Sequence, residues 1–425
     1  MKKLTILALA IVLVAAFTVP ASALENKFGG YWRTRFFSQG HFTGDEDDRD
    51  RETQQVDTRT RLYYTAVLND NLQFINKFEY DAVWGGDDTY GEVAADKKEI
   101  EIKNSYAQWQ MGDVELRMGV QGLLQSRGFV LDDDAAGIVA LWKMSDMFNL
   151  GAFWVRGWEG GTDNDDEDFE LVGLVPTVSF GNGMVLKPFL LWYYSSDFSE
   201  DFSADDDVNH EFADIDADEV SVYMVGADFD ASFDAFSMWL TAIYQGGTVD
   251  EVDSAGGEDV DVSAYLLAAG GSFNFGMADV HGQVFYASGD DDPDDDDFEA
   301  FAPVFGQSYY WAEIMGYGIF DNQASEGAPF DKITNIMAAN LGVGVKPMDK
   351  LKLTLDVWYA QLAEDDINGE DYLGTEVDLK VTYQLVEGLN LDLVGAYLFA
   401  GDATSTDGSN EDDPYEIGAR FSLSF

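Results

Sequence analysis

Basic side chains recur at alternate positions in the first third of the chain, which places neighbours on one face of an extended strand. Guanidinium groups hold carboxylates and phosphates through charge-assisted, often bidentate hydrogen bonds. The pattern therefore predicts a basic ladder that binds anionic solutes along one wall of a pore. Its candidate members are Arg33, Arg35, Arg59, Arg61, Lys77, Lys103, Arg117 and Arg127.

Acidic residues are interleaved with these bases, namely Asp57, Glu79, Asp81, Glu99 and Glu101. Opposite charges on neighbouring strands also form salt bridges. The sequence leaves open whether the ladder binds solutes or only stiffens a wall.

Runs of aspartate form the second set of residues with possible chemistry. Their carboxylate oxygens are ligands that Ca²⁺ and Mg²⁺ prefer, and they predict at most a loose metal site, because the spacing lacks the EF-hand pattern. Solvation of an acidic loop explains the same run without a metal. The densest run contains Asp290, Asp291, Asp292, Asp294, Asp295, Asp296 and Asp297.

Composition excludes several kinds of chemistry. Because the chain has no Cys, it has no disulfide, no Cys-ligated zinc or iron–sulfur centre and no c-type haem attachment. A net charge of −56 argues against nucleic-acid binding. The three histidines are His41, His210 and His281, and no Gly-x-Ser-x-Gly run occurs. We therefore expect neither an enzyme nor a cofactor, apart from loosely bound Ca²⁺ or Mg²⁺.

Residues 1–23 predict a secretory signal peptide. Lys2 and Lys3 precede an apolar run that ends at Ala21-Ser22-Ala23, a typical cleavage sequence. A membrane anchor is the alternative, but the run is shorter than the roughly 20 residues that a span needs. Residues 24–425 are then expected to form a single domain.

Apolar and polar residues alternate with period two over most of this domain. For example, Leu351, Leu353 and Leu355 share a face opposite Lys352 and Thr354. Such alternation over about 10 to 15 residues is typical of tilted transmembrane β-strands, whereas strands of soluble sandwiches are shorter.

Short turns alternate with long acidic connections, which predicts about 18 antiparallel strands, or 16 as an alternative. One rim carries tight turns such as Gly112-Asp113, Asp230–Asp234 and Glu387-Gly388. This asymmetry is typical of bacterial outer-membrane β-barrels, with short periplasmic turns and long extracellular loops. The predicted long loops are 41–53, 85–97, 122–136, 159–168, 197–218, 247–259, 290–331, 363–371 and 402–413.

The final strand, Tyr415 to Phe425, has apolar residues at alternate positions and ends on an aromatic residue. This ending resembles the signal that the barrel-assembly machinery reads, so we expect that partner to contact Phe425. A barrel of this kind also contacts outer-membrane lipid and lipopolysaccharide. The sequence does not indicate whether barrels associate.

The segment from Phe298 to Asp331 is rich in aromatic residues and glycine, unlike a plain solvated loop. It is expected either to fold into the barrel mouth and narrow it or to lie over the rim.

The chain resembles the alginate-export family of outer-membrane porins. The resemblance is carried by the arginine-bearing first strands, by Gly122–Arg127 leading to Asp132–Asp134, and by Gly374–Asp378 preceding Leu391–Tyr397. It implies a monomeric 18-stranded barrel whose lumen arginines conduct an anionic polysaccharide or other small solutes. Those arginines are Arg33, Arg35, Arg59, Arg61 and Arg117. The acidic loops depart from this pattern, because they would repel a polyuronate.

We therefore expect a passive diffusion channel of the bacterial outer membrane for small or anionic solutes, with a basic ladder inside and an acidic extracellular mouth. The alternative is a structural barrel that acts as a sleeve for an electron-transfer or export complex.

Overall fold

The computed structural model describes residues 24–42, 53–86, 100–159, 168–196, 219–252, 258–292, 295–302, 309–316, 318–320, 333–365, 369–404 and 413–425. The predicted signal peptide lies outside these ranges.

Eighteen antiparallel strands form one closed barrel, which confirms the predicted fold. One additional strand, β14, is not part of this antiparallel barrel: it has two residues and pairs in parallel with β12. Closure is made by β1 and β19, which pair from Tyr31 with Ser424 to Gly40 with Tyr415. The strands are β1 Glu25–Gly40, β2 Thr53–Asn69, β3 Leu72–Val83, β4 Glu101–Met111, β5 Val114–Gln125, β6 Leu131–Lys143, β7 Phe148–Trp158, β8 Phe169–Gly181, β9 Met184–Ser195, β10 Glu219–Phe233, β11 Phe236–Val252, β12 Glu258–Asn274, β13 Ala278–Ala287, β14 Asp297–Phe298, β15 Ile336–Met348, β16 Leu351–Leu362, β17 Tyr372–Val386, β18 Leu389–Ala400 and β19 Tyr415–Ser424.

Side chains alternate between the outer surface and the lumen, as the period-two pattern predicts. On β11, Leu240 and Tyr244 are exposed outside, whereas Thr241 and Gln245 are buried inside. The outer surface is apolar because it faces hydrocarbon, and the polar side chains of the strands turn inward. Among the described residues, no helix is long and apolar enough to cross a membrane, a finding that does not bear on crossing by strands.

The prediction of a long loop at residues 122–136 was wrong. Strand β5 continues to Gln125 and β6 begins at Leu131, so only residues 126–130 connect them. Asp132, Asp133 and Asp134 lie in β6 and pair with Leu124, Leu123 and Gly122. Backbone pairing thus extends through an acidic run that the sequence suggested was a loop.

Two other connections are shorter than predicted. Strand β11 runs to Val252 and β12 starts at Glu258, which shortens the loop expected at 247–259. Strand β10 continues to Phe233, so the turn expected at Asp230–Asp234 is confined to the end of that range.

Replacement of Leu240 by Arg tests which face meets lipid. Leu240 is 42% exposed on the outer surface of β11, and an arginine near the membrane midplane should lower the free energy of unfolding by about 2–4 kcal/mol. Thr248→Arg, on the same face near the extracellular end, should cost about 0–1 kcal/mol. Denaturant unfolding in lipid vesicles measures both, and equal losses would contradict the assigned depth.

Candidate functional site

Four of the arginines predicted to form the ladder lie side by side on the lumen surface of β1 and β2. Arg33 is opposite Arg59, and Arg35 is opposite Asp57 in the same strand pair. On the other side of β2, Arg59 and Arg61 are opposite Asp81 and Glu79 of β3. We call this lumen surface of β1, β2 and β3 the arginine face.

Carboxylates on the neighbouring strands bind most of these guanidinium groups. Arg35 binds Asp57 in a bidentate manner, with Nε to Oδ1 at 2.9 Å and Nη2 to Oδ2 at 2.7 Å. Arg59 donates to Asp81 across 2.5 Å between Nη2 and Oδ2. These arginines are therefore gathered on one lumen surface and bound there by salt bridges, while solute binding by them stays a prediction.

Glu79 is shared between two arginines. Its carboxylate accepts from Arg61 Nε and lies 3.5 Å from Arg59 Nε. The Glu79 side chain is 4% exposed, whereas those of Arg59 and Arg61 are 25% and 28% exposed. The carboxylate is thus buried at the wall while both cations still face the lumen.

The remaining members of the ladder continue around the wall on β3, β4 and β5. Lys103 Nζ lies 3.0 Å from Glu101 and 3.3 Å from Asp134, and Arg117 Nη2 lies 2.6 Å from Glu115. Within the described residues, Lys77 forms no ion pair. Glu99 lies outside the described residues.

Arg127 lies apart from the arginine face. The connection between β5 and β6 turns into the lumen and carries Arg127 to β10 and β11. There its Nη2 donates to Asp230 Oδ1 at 2.7 Å, and its guanidinium carbon lies 4.6 Å from the centre of the Trp239 ring. Arg127 fastens an inward turn, in a way that sequence spacing did not predict.

A cavity of about 170 Å³ opens at the arginine face. Its lining includes Arg33, Arg35, Asp57, Arg59 and Asp81. The cavity thus combines three guanidinium groups with two carboxylates, a composition that suits a small anionic or dipolar molecule.

A segment between β13 and β15 folds into the lumen, which was one of the two expectations for residues 298–331. We call its described residues, 295–302, 309–316 and 318–320, the inner segment. Phe301, Ala302, Ile314 and Met315 are fully buried in it.

The inner segment packs into an apolar core inside the barrel. The Tyr309 ring stacks on Phe129 of the inward β5–β6 turn, with 3.7 Å between ring centroids. Trp311 meets Trp358 of β16 edge to face at 5.1 Å. This burial raises the pKa of the Tyr309 hydroxyl. Much of the lumen lined by β7 to β18 is therefore packed, in contrast to the arginine face.

Two buried polar side chains fasten the inner segment to the wall. Gln245 of β11 donates to the Ala302 carbonyl at 2.8 Å and accepts from the Ala302 amide at 3.0 Å. Glu376 of β17 accepts from the amides of Ile314 and Met315 at 2.7 and 2.8 Å. The sequence did not predict this role for either residue, because the backbone groups that they bind lie far away in the chain.

The inner segment also touches the arginine face. Arg35 Nη1 donates to the Ile319 carbonyl at 3.3 Å, and the Phe320 ring stacks on Phe37 at 4.9 Å. The segment therefore lies between the apolar core and the ladder.

The acidic run is folded by turns of its own. The Asp297 amide donates to Asp295 Oδ1 at 2.9 Å, and the Asp292 amide to Asp290 Oδ1 at 3.3 Å. Burial raises the pKa of Asp290, and the nearby Asp291 carboxylate raises that of Glu299. Among the residues that the structure describes, no group of three or more acidic or histidine side chains is arranged to hold a metal ion. Asp294 lies outside the described residues, and loose binding of Ca²⁺ or Mg²⁺ stays a prediction.

The family model for alginate export matches residues 25–415, nearly all of the barrel. The chain belongs to the alginate export family. No curated protein matches the chain. Family membership and the barrel fold place this protein in the bacterial outer membrane and support a role as a porin-like channel.

Solved porins of Pseudomonas share the fold of this alginate export family member. OccK8 (OprE) of Pseudomonas aeruginosa has a TM-score of 0.60 at 12% identity, over 94% of this chain and 98% of that chain. OpdK of the same species, solved with vanillate, has a TM-score of 0.58 at 11% identity, over 94% and 99%. A BenF-like porin from Pseudomonas fluorescens Pf-5 also has a TM-score of 0.58 at 11% identity, over 94% and 99%.

Replacement of Gln245 by Leu tests how the inner segment is held. The variant leaves the buried amide and carbonyl of Ala302 without partners, at about 1–3 kcal/mol for each group. We expect protease to cut the segment faster while the barrel stays folded. Gln110→Leu, whose side chain bonds only to the exposed Gly112 carbonyl, is the matched control. Equal cutting in both variants would contradict the assignment of Gln245.

Proposed function

We propose that this protein is a passive diffusion channel for small anionic solutes, which pass along the arginine face. The observation that carries the proposal is the division of the lumen. Apolar packing fills much of the side formed by β7 to β18, whereas guanidinium groups line a cavity on β1 and β2. A solute that crosses the barrel therefore meets the ladder.

The ion pairs make the ladder a weak binder, which suits a channel. Arg35, Arg59, Arg61 and Arg117 each have a carboxylate partner, so an anion gains only part of the interaction that a bare guanidinium would offer. A solute must leave as readily as it enters, and partly satisfied cations meet that condition. The selectivity residues of this proposal are Arg33, Arg35, Arg59, Arg61, Lys77, Lys103 and Arg117, with Arg127 holding the inward turn instead.

The structural neighbour OpdK was solved with vanillate, which is a carboxylate. This supports small organic anions as the solute class. The net charge of −56 makes a long polyanion an unsuitable solute, since the acidic chain would repel it before it reached the ladder.

We propose transport without catalysis. The sleeve suggested by the sequence is the weaker candidate, because a sleeve must admit another polypeptide. The inner segment occupies that space, and Gln245 and Glu376 fasten it there. We further propose that the assembly machinery contacts the exposed Phe425, whose backbone pairs with Gly30 at the seam between the first and last strands.

Replacement of Arg59 and Arg61 by Ala in one variant tests the ladder. The change removes two positive charges and leaves Asp81 and Glu79 uncompensated. A unit charge about 8 Å from the solute path contributes about 0.5 kcal/mol in water, or roughly a factor of two in local anion concentration. Loss of two such charges lowers the local anion concentration about fourfold and raises the local cation concentration about fourfold, so we expect the anion-to-cation permeability ratio to fall by about an order of magnitude. The reversal potential of a planar bilayer under a salt gradient measures the ratio.

Glu79→Gln is the opposite test, because it removes the carboxylate that two arginines share. The permeability ratio should rise by roughly a factor of four, because the local anion concentration rises and the local cation concentration falls. Lys143→Ala, at the exposed periplasmic rim, removes a cation outside the cavity and serves as the control. If the anion-to-cation permeability ratio is unchanged in both ladder variants, the ladder only reinforces the barrel wall. A barrel that never conducts would overturn the channel itself.

A further inference from the structure

Two carboxyl groups on β17 hold the inner segment by its backbone. Glu376 accepts the amides of Ile314 and Met315 at 2.7 and 2.8 Å, one on each carboxylate oxygen. Asp378, two residues along the same strand face, lies 3.4 Å from the Glu313 amide through Oδ2. We call Glu376 and Asp378 the carboxyl pair. Both side chains are buried, at 0% and 5% exposure.

The two carboxyl groups are close neighbours, because alternate residues of a strand lie on one face and because the pair binds the successive amides of Glu313, Ile314 and Met315. Two ionised carboxylates this close in a buried site repel each other, which favours a proton on one of them. Only a protonated carboxyl can donate to the other, because an ionised group offers only acceptors. Among the described residues, Asp378 Oδ1 has no hydrogen-bond partner.

The surrounding charges do not neutralise the pair. Glu313 on the inner segment, Asp356 on β16 and Glu416 on β19 add three more carboxyls. Asp356 is itself bound to His281 of β13, with 2.9 Å between Oδ1 and Nε2. Glu416 Oε1 is buried without a partner among the described residues. Lys380 lies 3.8 Å from Glu313, and the nearby Arg35 is bound to Asp57. Beside the pair, β18 places Leu398 and Ala396. A second negative charge at this place would meet buried like charges without enough cations.

We propose that the carboxyl pair is a proton-dependent fastener that positions the inner segment and thereby sets the width of the channel. With one shared proton, Glu376 stays an acceptor for two amides and Asp378 donates to it. When that proton is lost, the carboxylates of Glu376 and Asp378 repel each other and Glu313. The inner segment then detaches from β17. The fastened state is present at low pH and is lost as pH rises. The inference rests on the proposed channel for its conductance readout.

Conductance against pH in planar bilayers is the first test. The wild-type barrel should conduct more at about pH 9 than at about pH 5, because release of the segment widens the lumen. Asp378→Asn places a permanent donor beside Glu376 and should remove the rise. Glu376→Gln keeps one acceptor for two amides and should give high conductance at every pH. Asp392→Asn is the control, since Asp392 is a buried lumen carboxylate bound to Arg420 and Thr382. It should keep the wild-type response.

Thiol labelling is the second test and needs no conductance. The chain has no Cys, so Met315→Cys introduces a single thiol at a position that is 0% exposed. Met144→Cys, at an exposed periplasmic turn, reports the intrinsic rise of thiol reactivity with pH. The ratio of the two labelling rates should increase at least about tenfold between about pH 5 and pH 9. In the Asp378→Asn background the ratio should stay constant.

The outcomes separate the two proposals. A constant labelling ratio in the otherwise wild-type barrel, or a rising ratio with Asp378→Asn, overturns the carboxyl pair as the fastener. A rising ratio in a barrel that conducts at no pH overturns the channel and leaves the fastener standing. Conductance that is insensitive to pH while labelling rises shows that the released segment does not set the width, which overturns that part of the inference.

Discussion

A backbone that crosses hydrocarbon must satisfy all its own hydrogen bonds, and this requirement fixes everything else in the structure. A sheet of eighteen long strands satisfies this requirement only if it closes into a barrel. The last strand, β19, therefore pairs with β1 over ten residues. Closure makes one surface apolar and sends the polar side chains inward. The arginines of β1 and β2 become neighbours because these two strands pair antiparallel, which sets Arg33 opposite Arg59 although 26 positions separate them in the chain.

Charge in this lumen is organised by local pairing. Arg35, Arg59 and Arg61 meet carboxylates on the adjacent strand, at the separation that strand register imposes, whereas Arg117 binds Glu115 on its own strand. Arg35 with Asp57 and Arg61 with Glu79 follow directly from that register. The result is a wall that is stable without solute and still presents cations to water. Stiffening and solute guidance are then two effects of the same contacts.

Strand periodicity made the barrel, its strand number and the inward direction of the ladder predictable, because alternation is a local property. Local patterns failed at Asp132–Asp134, where an acidic run pairs with Gly122–Leu124 as regular strand. They also failed for Arg127, which reaches β10 through a turn that only three-dimensional packing directs. The roles of Gln245 and Glu376 could not be predicted for a related reason. Both residues bind backbone amides or carbonyls that are distant in the chain.

The eccentric packing of the interior has a consequence for sorting by shape. Because the described residues pack much of the side formed by β7 to β18, the described cavity lies off-centre, against the arginines. For the proposed channel, we expect such an off-centre opening to admit a flat molecule edge-on more readily than a globular one of equal mass. We therefore expect the thickness of a solute to limit its entry before its charge does.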